Sequence, residues 1–494
     1  MLFNSFHFIL FFPAVVLVYF LVPAKLRYVW LLLASYYFYM SWNAKYAVLI
    51  AFSTFVTWGS GMLLGACRKR GAKGSIKKWI VVLSFVINLG ILAFFKYFDF
   101  MLDNVNFFLG KAGLQAVSRP FDLILPVGIS FYTFQALSYT MDVYRGDITA
   151  ERNFFMYALF VSFFPQLVAG PIERSKNLLR QVNQPHAYDY DNMREGLLVM
   201  LWGFFLKLVV ADRVAVIVNT VYGDYPQYGG MYIIVASVLF AIQIYCDFAG
   251  YSTIAIGAAK VLGFQLMENF DCPYFACSIG EFWRRWHISL SSWFRDYLYI
   301  PLGGNRRGTL IKYRNLVIVF LVSGLWHGAA ATYVVWGLIH GIYQVIGGIT
   351  RPVRDKLNRL FALKPESIGH KLVSGLITFA LVDFAWIFFR AETIKDAFLM
   401  IKSMVHVGNI HILWDGSLYE LGLSAKSFMV LVFGIAVMIV ADFLKYRGIR
   451  IRDILIEQEL WCRWLCYITA FWFILVFGVW GGSYDASSFI YFQF

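Results

Sequence analysis

Long unbroken apolar runs, rather than alternating apolar and polar positions, pattern this chain. Phe6 to Phe20, Leu372 to Phe389, Ser427 to Leu444 and Leu465 to Trp480 each approach the length a helix needs to cross a hydrocarbon core, about 20 residues for about 30 Å. Counting such runs predicts roughly eleven to thirteen membrane spans, several of them short or broken by polar residues. The expected fold is all-α and polytopic. The first run has no basic segment before it and no small-residue cleavage site after it, which predicts a retained helix and not a signal peptide.

The pattern breaks between Asn269 and Arg314. Glu281-Phe282-Trp283-Arg284-Arg285-Trp286-His287 is followed by Trp293-Phe294-Arg295-Asp296-Tyr297 and by Pro301-Leu302-Gly303-Gly304-Asn305-Arg306-Arg307. Aromatic and arginine residues alternate too closely for a helix that faces lipid. At membrane depth such backbone is tolerated only where protein or a water-filled cavity surrounds it, so the stretch predicts interfacial or re-entrant helices forming a cytoplasmic funnel. No linker or low-complexity tract divides the chain, and one membrane domain is expected over residues 1–480 with a tail over 481–494. The sequence shows no convincing internal repeat, which weighs against transporters built from related halves.

Composition agrees: with 60% hydrophobic and 15% charged residues and a mean hydropathy of +0.64, the chain lies far outside the soluble globular range. The net charge of +14 gathers in three places, Arg68 to Lys78, Arg351 to Lys371 and Lys445 to Arg452. The positive-inside rule puts all three on the cytoplasmic side. The last apolar run then leads outward, and the tail is expected on the outer face. The six cysteines form no CxxC pair and no regular spacing with histidine, which predicts neither a metal site nor a redox pair.

Against this background an ionisable residue inside an apolar run is the sharpest signal. His327 sits in Val317-Ile318-Val319-Phe320-Leu321-Val322-Ser323-Gly324-Leu325-Trp326-His327-Gly328. An ionisable side chain at membrane depth is costly unless it meets a partner or a polar cavity, so it reads as a functional site. His340 also lies in an apolar run; on one helix, the thirteen residues from His327 would set the two about 20 Å apart on nearly opposite faces. With Gly337 and Gly341 beside it, His340 reads as a packing histidine bonded to a neighbouring helix. Asp247, flanked by Gln243, Tyr251 and Ser252, is a buried acid that orients a histidine, pairs with a funnel arginine or forms a structural bond between helices. Glu173 is expected to pair locally with Arg174.

The central motifs carry a resemblance. Trp286-His287-Ile288-Ser289-Leu290-Ser291, Tyr299-Ile300-Pro301-Leu302-Gly303-Gly304-Asn305 and Ser323-Gly324-Leu325-Trp326-His327-Gly328 resemble the membrane-bound O-acyltransferase family. Leu125 to Gln135, Ala169 to Arg174 and Phe489 to Phe494 are similar to its bacterial branch that acetylates cell-surface polysaccharides such as alginate. Thr253 departs from the pattern, since relatives often carry a second acidic residue there.

The resemblance implies a helical domain with a channel through the bilayer, a cytoplasmic acyl donor and an acceptor on the far side, in a bacterial plasma membrane. Acetyl-CoA would be the donor substrate, with no tightly bound cofactor. Its phosphates call for cations, which Arg284, Arg285, Arg295, Arg306 and Arg307 supply, with Trp326 and Asp247 beside them as donor- or substrate-binding residues. His327 becomes the general base, since a buried neutral imidazole can take the proton of an attacking hydroxyl. His287, the second family histidine, orients the thioester, polarises its carbonyl or simply holds structure. The aromatic tail must dock rather than stand in water. After the Gly481-Gly482-Ser483 hinge, Tyr491 lies within about 33 Å of extended chain, enough to enter the channel and carry the acyl group as a transient ester. The expected partners are an extracytoplasmic SGNH or esterase-like acyltransferase, an exported polysaccharide and membrane lipids, with no nucleic acid. Two other readings stand beside this one: D-alanyl transfer from a carrier protein to teichoic acid, and a polysaccharide or lipid transporter.

Overall fold

The computed structural model describes residues 1–119 and 125–480, and among these there are helices and turns but no strands. Among the described residues, eight helices are long and apolar enough to cross a membrane: Ala44–Lys69, Gly74–Lys111, Gly230–Val261, Thr309–His327, Ala331–Ile349, Ile368–Arg390, Ala425–Tyr446 and Leu460–Phe477. The protein is a multi-pass, all-α membrane protein. The larger count read from apolar runs includes shorter pieces such as Phe6–Leu21, a helix of 16 residues. Polar caps start several of these helices. Ser367 accepts from the His370 amide, and Ser424 from the Ser427 amide, supplying oxygens for amides that have no partner within the helix.

The described residues fall into two compact units, one within Met1–Met200 with Ser252–Met267, the other Leu201–Tyr251 with 268–480. In the first, small and hydroxyl-bearing residues let helices approach and bond to each other, as expected where water offers no alternative partner. Ser53 Oγ donates to Asn88 Oδ1 at 2.6 Å, and the Tyr157 hydroxyl donates to Thr57 Oγ1 at 2.8 Å. Glu173 is fully buried. Its carboxylate accepts from the Met267 amide at 2.6 Å and from Asn177 Nδ2 at 2.7 Å, so it ties two loops together as well as facing Arg174.

The second unit is organised around a helical hairpin, Thr309–His327 and Ala331–Ile349. Glycine makes the hairpin possible: a Cβ at Gly324 would lie 2.2 Å from the Tyr333 carbonyl oxygen, and one at Gly337 2.2 Å from that of Phe320. The small-residue spacing read beside His340 is thus a true helix contact. The polar central stretch forms two short helices, Ile279–Arg285 and Ile288–Phe294, followed by a wider turn over Arg295–Tyr299. Each is too short to span, as its mixed aromatic and arginine content requires.

Candidate active site

His327 is the last residue of its helix, with Gly328 as the cap. It therefore ends the apolar run rather than sitting inside it. The side chain is buried, and the rings of Trp336, Trp326 and Phe389 lie 4.9, 5.0 and 5.6 Å from its own. His327 Nδ1 is 2.7 Å from the Ser323 carbonyl oxygen. A carbonyl oxygen only accepts, so Nδ1 carries the proton and Nε2 is the basic nitrogen.

His287 lies between the two short helices in the left-handed region, with φ of 43°. A side chain other than glycine pays about 1–3 kcal/mol for that conformation, and it persists where the surroundings determine it. Here one residue does so. The Asn269 backbone carbonyl accepts from the Ile288 amide at 2.9 Å. Its side-chain Oδ1 accepts from the Ser289 amide at 3.2 Å and from Ser289 Oγ at 2.7 Å, and lies 3.3 Å from His287 Nδ1. His287 is fully buried. Burial, then the nearby His327, holds its imidazole well below the ordinary value of 6.5, in the neutral form. The two imidazole rings are 6.4 Å apart and nearly perpendicular.

The remaining sequence candidates divide. Trp326 joins the pair, with its ring 5.9 Å from that of His287. Asp247 does not: it is bonded to Lys207, which also pairs with Asp212 at 2.8 Å, in a buried cluster. This is a bond to a neighbouring helix, made by a lysine. Its neighbour Phe248 does reach the site, 4.7 Å from the His287 ring. Arg285 is half-buried and held by Glu281 at 3.0 Å and Asp271 at 3.1 Å, and Arg295 pairs with Asp296 at 2.8 Å. Arg284, Arg306 and Arg307 are exposed. His340 accepts from Trp283 Nε1 at 3.2 Å, a bond to a neighbouring element as read from sequence. Because the hairpin folds the chain back, however, His340 and His327 both touch Trp336, at 5.1 and 4.9 Å between rings. Tyr491 lies outside the described residues.

Two residues escaped the sequence reading. Lys207, in the apolar run Phe204-Phe205-Leu206-Lys207-Leu208-Val209, was visible as a buried cation in need of acids. Asn269 opened the polar stretch but carried no sign of its partners, which lie 18 to 20 residues on.

A family model described as MBOAT, membrane-bound O-acyltransferase, matches residues 150–364. The protein named Probable alginate O-acetylase AlgI from Pseudomonas aeruginosa is 40% identical, covering 81% of this chain and 74% of its own length. The chain belongs to the membrane-bound O-acyltransferase family. A peptidoglycan O-acetyltransferase of Helicobacter pylori is 35% identical over 87% of this chain and 83% of its own. A teichoic acid D-alanyltransferase of Bacillus subtilis is 26% identical over 55% and 70%. This membrane-bound O-acyltransferase carries Lys207, Asn269, His287 and His327 all within the residues matched by the family model.

Proposed function

We propose that this membrane-bound O-acyltransferase takes an acetyl group from cytoplasmic acetyl-CoA and passes it across the membrane toward an exported polysaccharide. The observation that carries the reading is the buried pair of imidazoles 6.4 Å apart, each with an uncharged oxygen beside its Nδ1. An attacking hydroxyl gives its proton to His327 Nε2 as its oxygen forms the ester bond and the carbon–sulfur bond of the thioester breaks. The imidazolium then returns the proton to the departing thiolate. His287, with an accepting Nε2, is suited to taking a hydrogen bond from a substrate donor other than the reacting hydroxyl, and not to donating to the carbonyl. The buried Trp336 Nε1–H has no acceptor among the described residues and stands beside His327, which suits it to meeting the developing oxyanion. Arg284, Arg306 and Arg307, exposed and outside the ion pairs that occupy Arg285 and Arg295, suit the phosphates of the donor.

The acetyl reading is favoured over D-alanyl transfer by the higher identity and coverage of the O-acetylating relatives. Their printed names also support a polysaccharide acceptor. Transfer through an acyl-Tyr491 intermediate to an extracytoplasmic esterase-like partner completes the proposal. Its test is label transfer from radiolabelled acetyl-CoA to the purified protein, comparing wild type with His327→Ala and Tyr491→Phe. Label on wild type and on neither variant is the expected result. Loss with His327→Ala alone discards the relay but keeps the enzyme, and polymer export with no label in any form means a transporter.

A further inference from the structure

Asn269 makes contact with three consecutive residues, His287, Ile288 and Ser289, through both its backbone carbonyl and its side chain. The Ser289 amide can only donate, so the side-chain atom it meets is the carbonyl oxygen of the amide and not its nitrogen. That same oxygen lies 3.3 Å from His287 Nδ1. We propose that Asn269 is the positioning residue that fixes His287 as the Nδ1–H tautomer and keeps Nε2 basic inside the site. The assignment rests on the acyl-transfer reading of the histidine pair.

The choice of an amide over an acid follows from the same geometry. An aspartate at 269 would accept the same three bonds but would add a negative charge behind the ring, and an adjacent anion favours the imidazolium. A protonated His287 next to His327 would suppress protonation of the base at the moment it must accept a proton. The neutral amide supplies orientation without charge. The buried Asn269 Nδ2 has no hydrogen-bond partner among the described residues, consistent with the side chain being kept for its oxygen. Other charged groups near the segment are committed elsewhere. Asp247 on the helix carrying Phe248 is bonded to Lys207, and Arg285 on the preceding short helix to Asp271 and Glu281, while Glu268 and Asp271 share Lys445. His327 is the titratable group from the hairpin that acts on His287.

The test uses the full chain in detergent with 15N-labelled histidine. The signals lost in His287→Gln identify His287, and the wild type is expected to show protonated Nδ1 and unprotonated Nε2 near pH 7. In Asn269→Asp, which keeps the bonding shape, double protonation of His287 should set in at a higher pH than in the wild type. The acid limb of acetyl transfer should move up by about 1 to 3 pH units, a shift that a purely structural staple would not produce. A wild-type spectrum with the proton on Nε2 overturns the proposal whether or not the variant folds, and so does an Asn269→Asp protein with unchanged spectrum and acid limb. A different result removes His287 from the acyl-transfer site instead: full transfer activity in His287→Gln, with the wild-type tautomer as assigned.

Discussion

Two buried polar groups in the second unit solve the same problem in opposite ways. Around Lys207, charge is cancelled: the ammonium lies between Asp247 and Asp212, with Arg213 held by the Leu208 and Val209 carbonyls at 3.3 and 3.2 Å. Around His287 and His327, charge is avoided: each ring has an uncharged oxygen behind it, from Asn269 and Ser323. Removing an ion from water costs several kcal/mol unless a partner restores it, and a neutral imidazole escapes that cost while keeping a lone pair. A cluster that has satisfied all its charge has nothing left to react with. The histidine pair remains able to accept a proton, and this separates a lock between helices from a site.

The largest effect that tests the contrast is His327→Ala. Acetyl transfer should fall by about 10²–10⁴-fold while the thermal unfolding of the detergent-solubilised protein stays near wild type. Wild-type turnover would place the base elsewhere. The lock should respond in the reverse sense. Asp247→Ala leaves Lys207 short of an acid and should cost about 3–5 kcal/mol of stability, with activity per folded molecule largely kept. Combining it with Lys207→Met and Asp212→Asn, which also removes the second acid of the ammonium, should recover most of the loss, and no recovery would mean that packing, not charge, made the difference.

A smaller effect is expected at the hairpin. Gly337→Ala puts a methyl 2.2 Å from the Phe320 carbonyl oxygen, and overpacking of this kind typically costs about 1–3 kcal/mol. It should lower both stability and turnover by tilting His327, whereas Gly347→Ala, with nothing near its Cβ position, should do neither.

The smallest prediction concerns an intermediate case. Burial pushes the Glu173 carboxyl up to about 7 from 4.5, although two neutral donors and Arg174 oppose it. Below 4.5 both folded and unfolded chains hold the proton and nothing is lost. Between 4.5 and about 7 the unfolded chain releases it while the folded one keeps it, so stability falls as pH rises and stays lowered above that window. The melting temperature of wild type should therefore drop from pH 5 to pH 8 more than that of Glu173→Gln. Parallel curves would show that the carboxyl ionises freely.

How much of this was legible in the sequence depended on how far a residue's partners lay along the chain. Membrane helices such as Ile368–Arg390 and Ala425–Tyr446 follow the apolar runs closely, because hydrocarbon thickness acts on a single contiguous segment. His327 stood out for the same local reason. Hydropathy could not separate a buried helix from one that faces lipid: Gly230–Val261 and Leu460–Phe477 are similarly apolar, yet most of the first is buried within the protein and little of the second is. Both environments are apolar, and only packing distinguishes them. The partner of Asp247 was likewise hidden, since Lys207 lies 40 residues away. The length of the reach to Tyr491 was read from the tail, which lies outside the described residues.

The order of the chain also gives the hairpin a history. Asn269, His287 and His327 leave the ribosome within roughly 3–12 s of one another at ordinary elongation rates of about 5–20 residues per second. The helix Ile368–Arg390, which brings Phe389 against the His327 ring, is made only afterwards. A nascent chain halted after Ile349 would hold both histidines without that wall. Its imidazoles would be open to reagents that the finished enzyme keeps out.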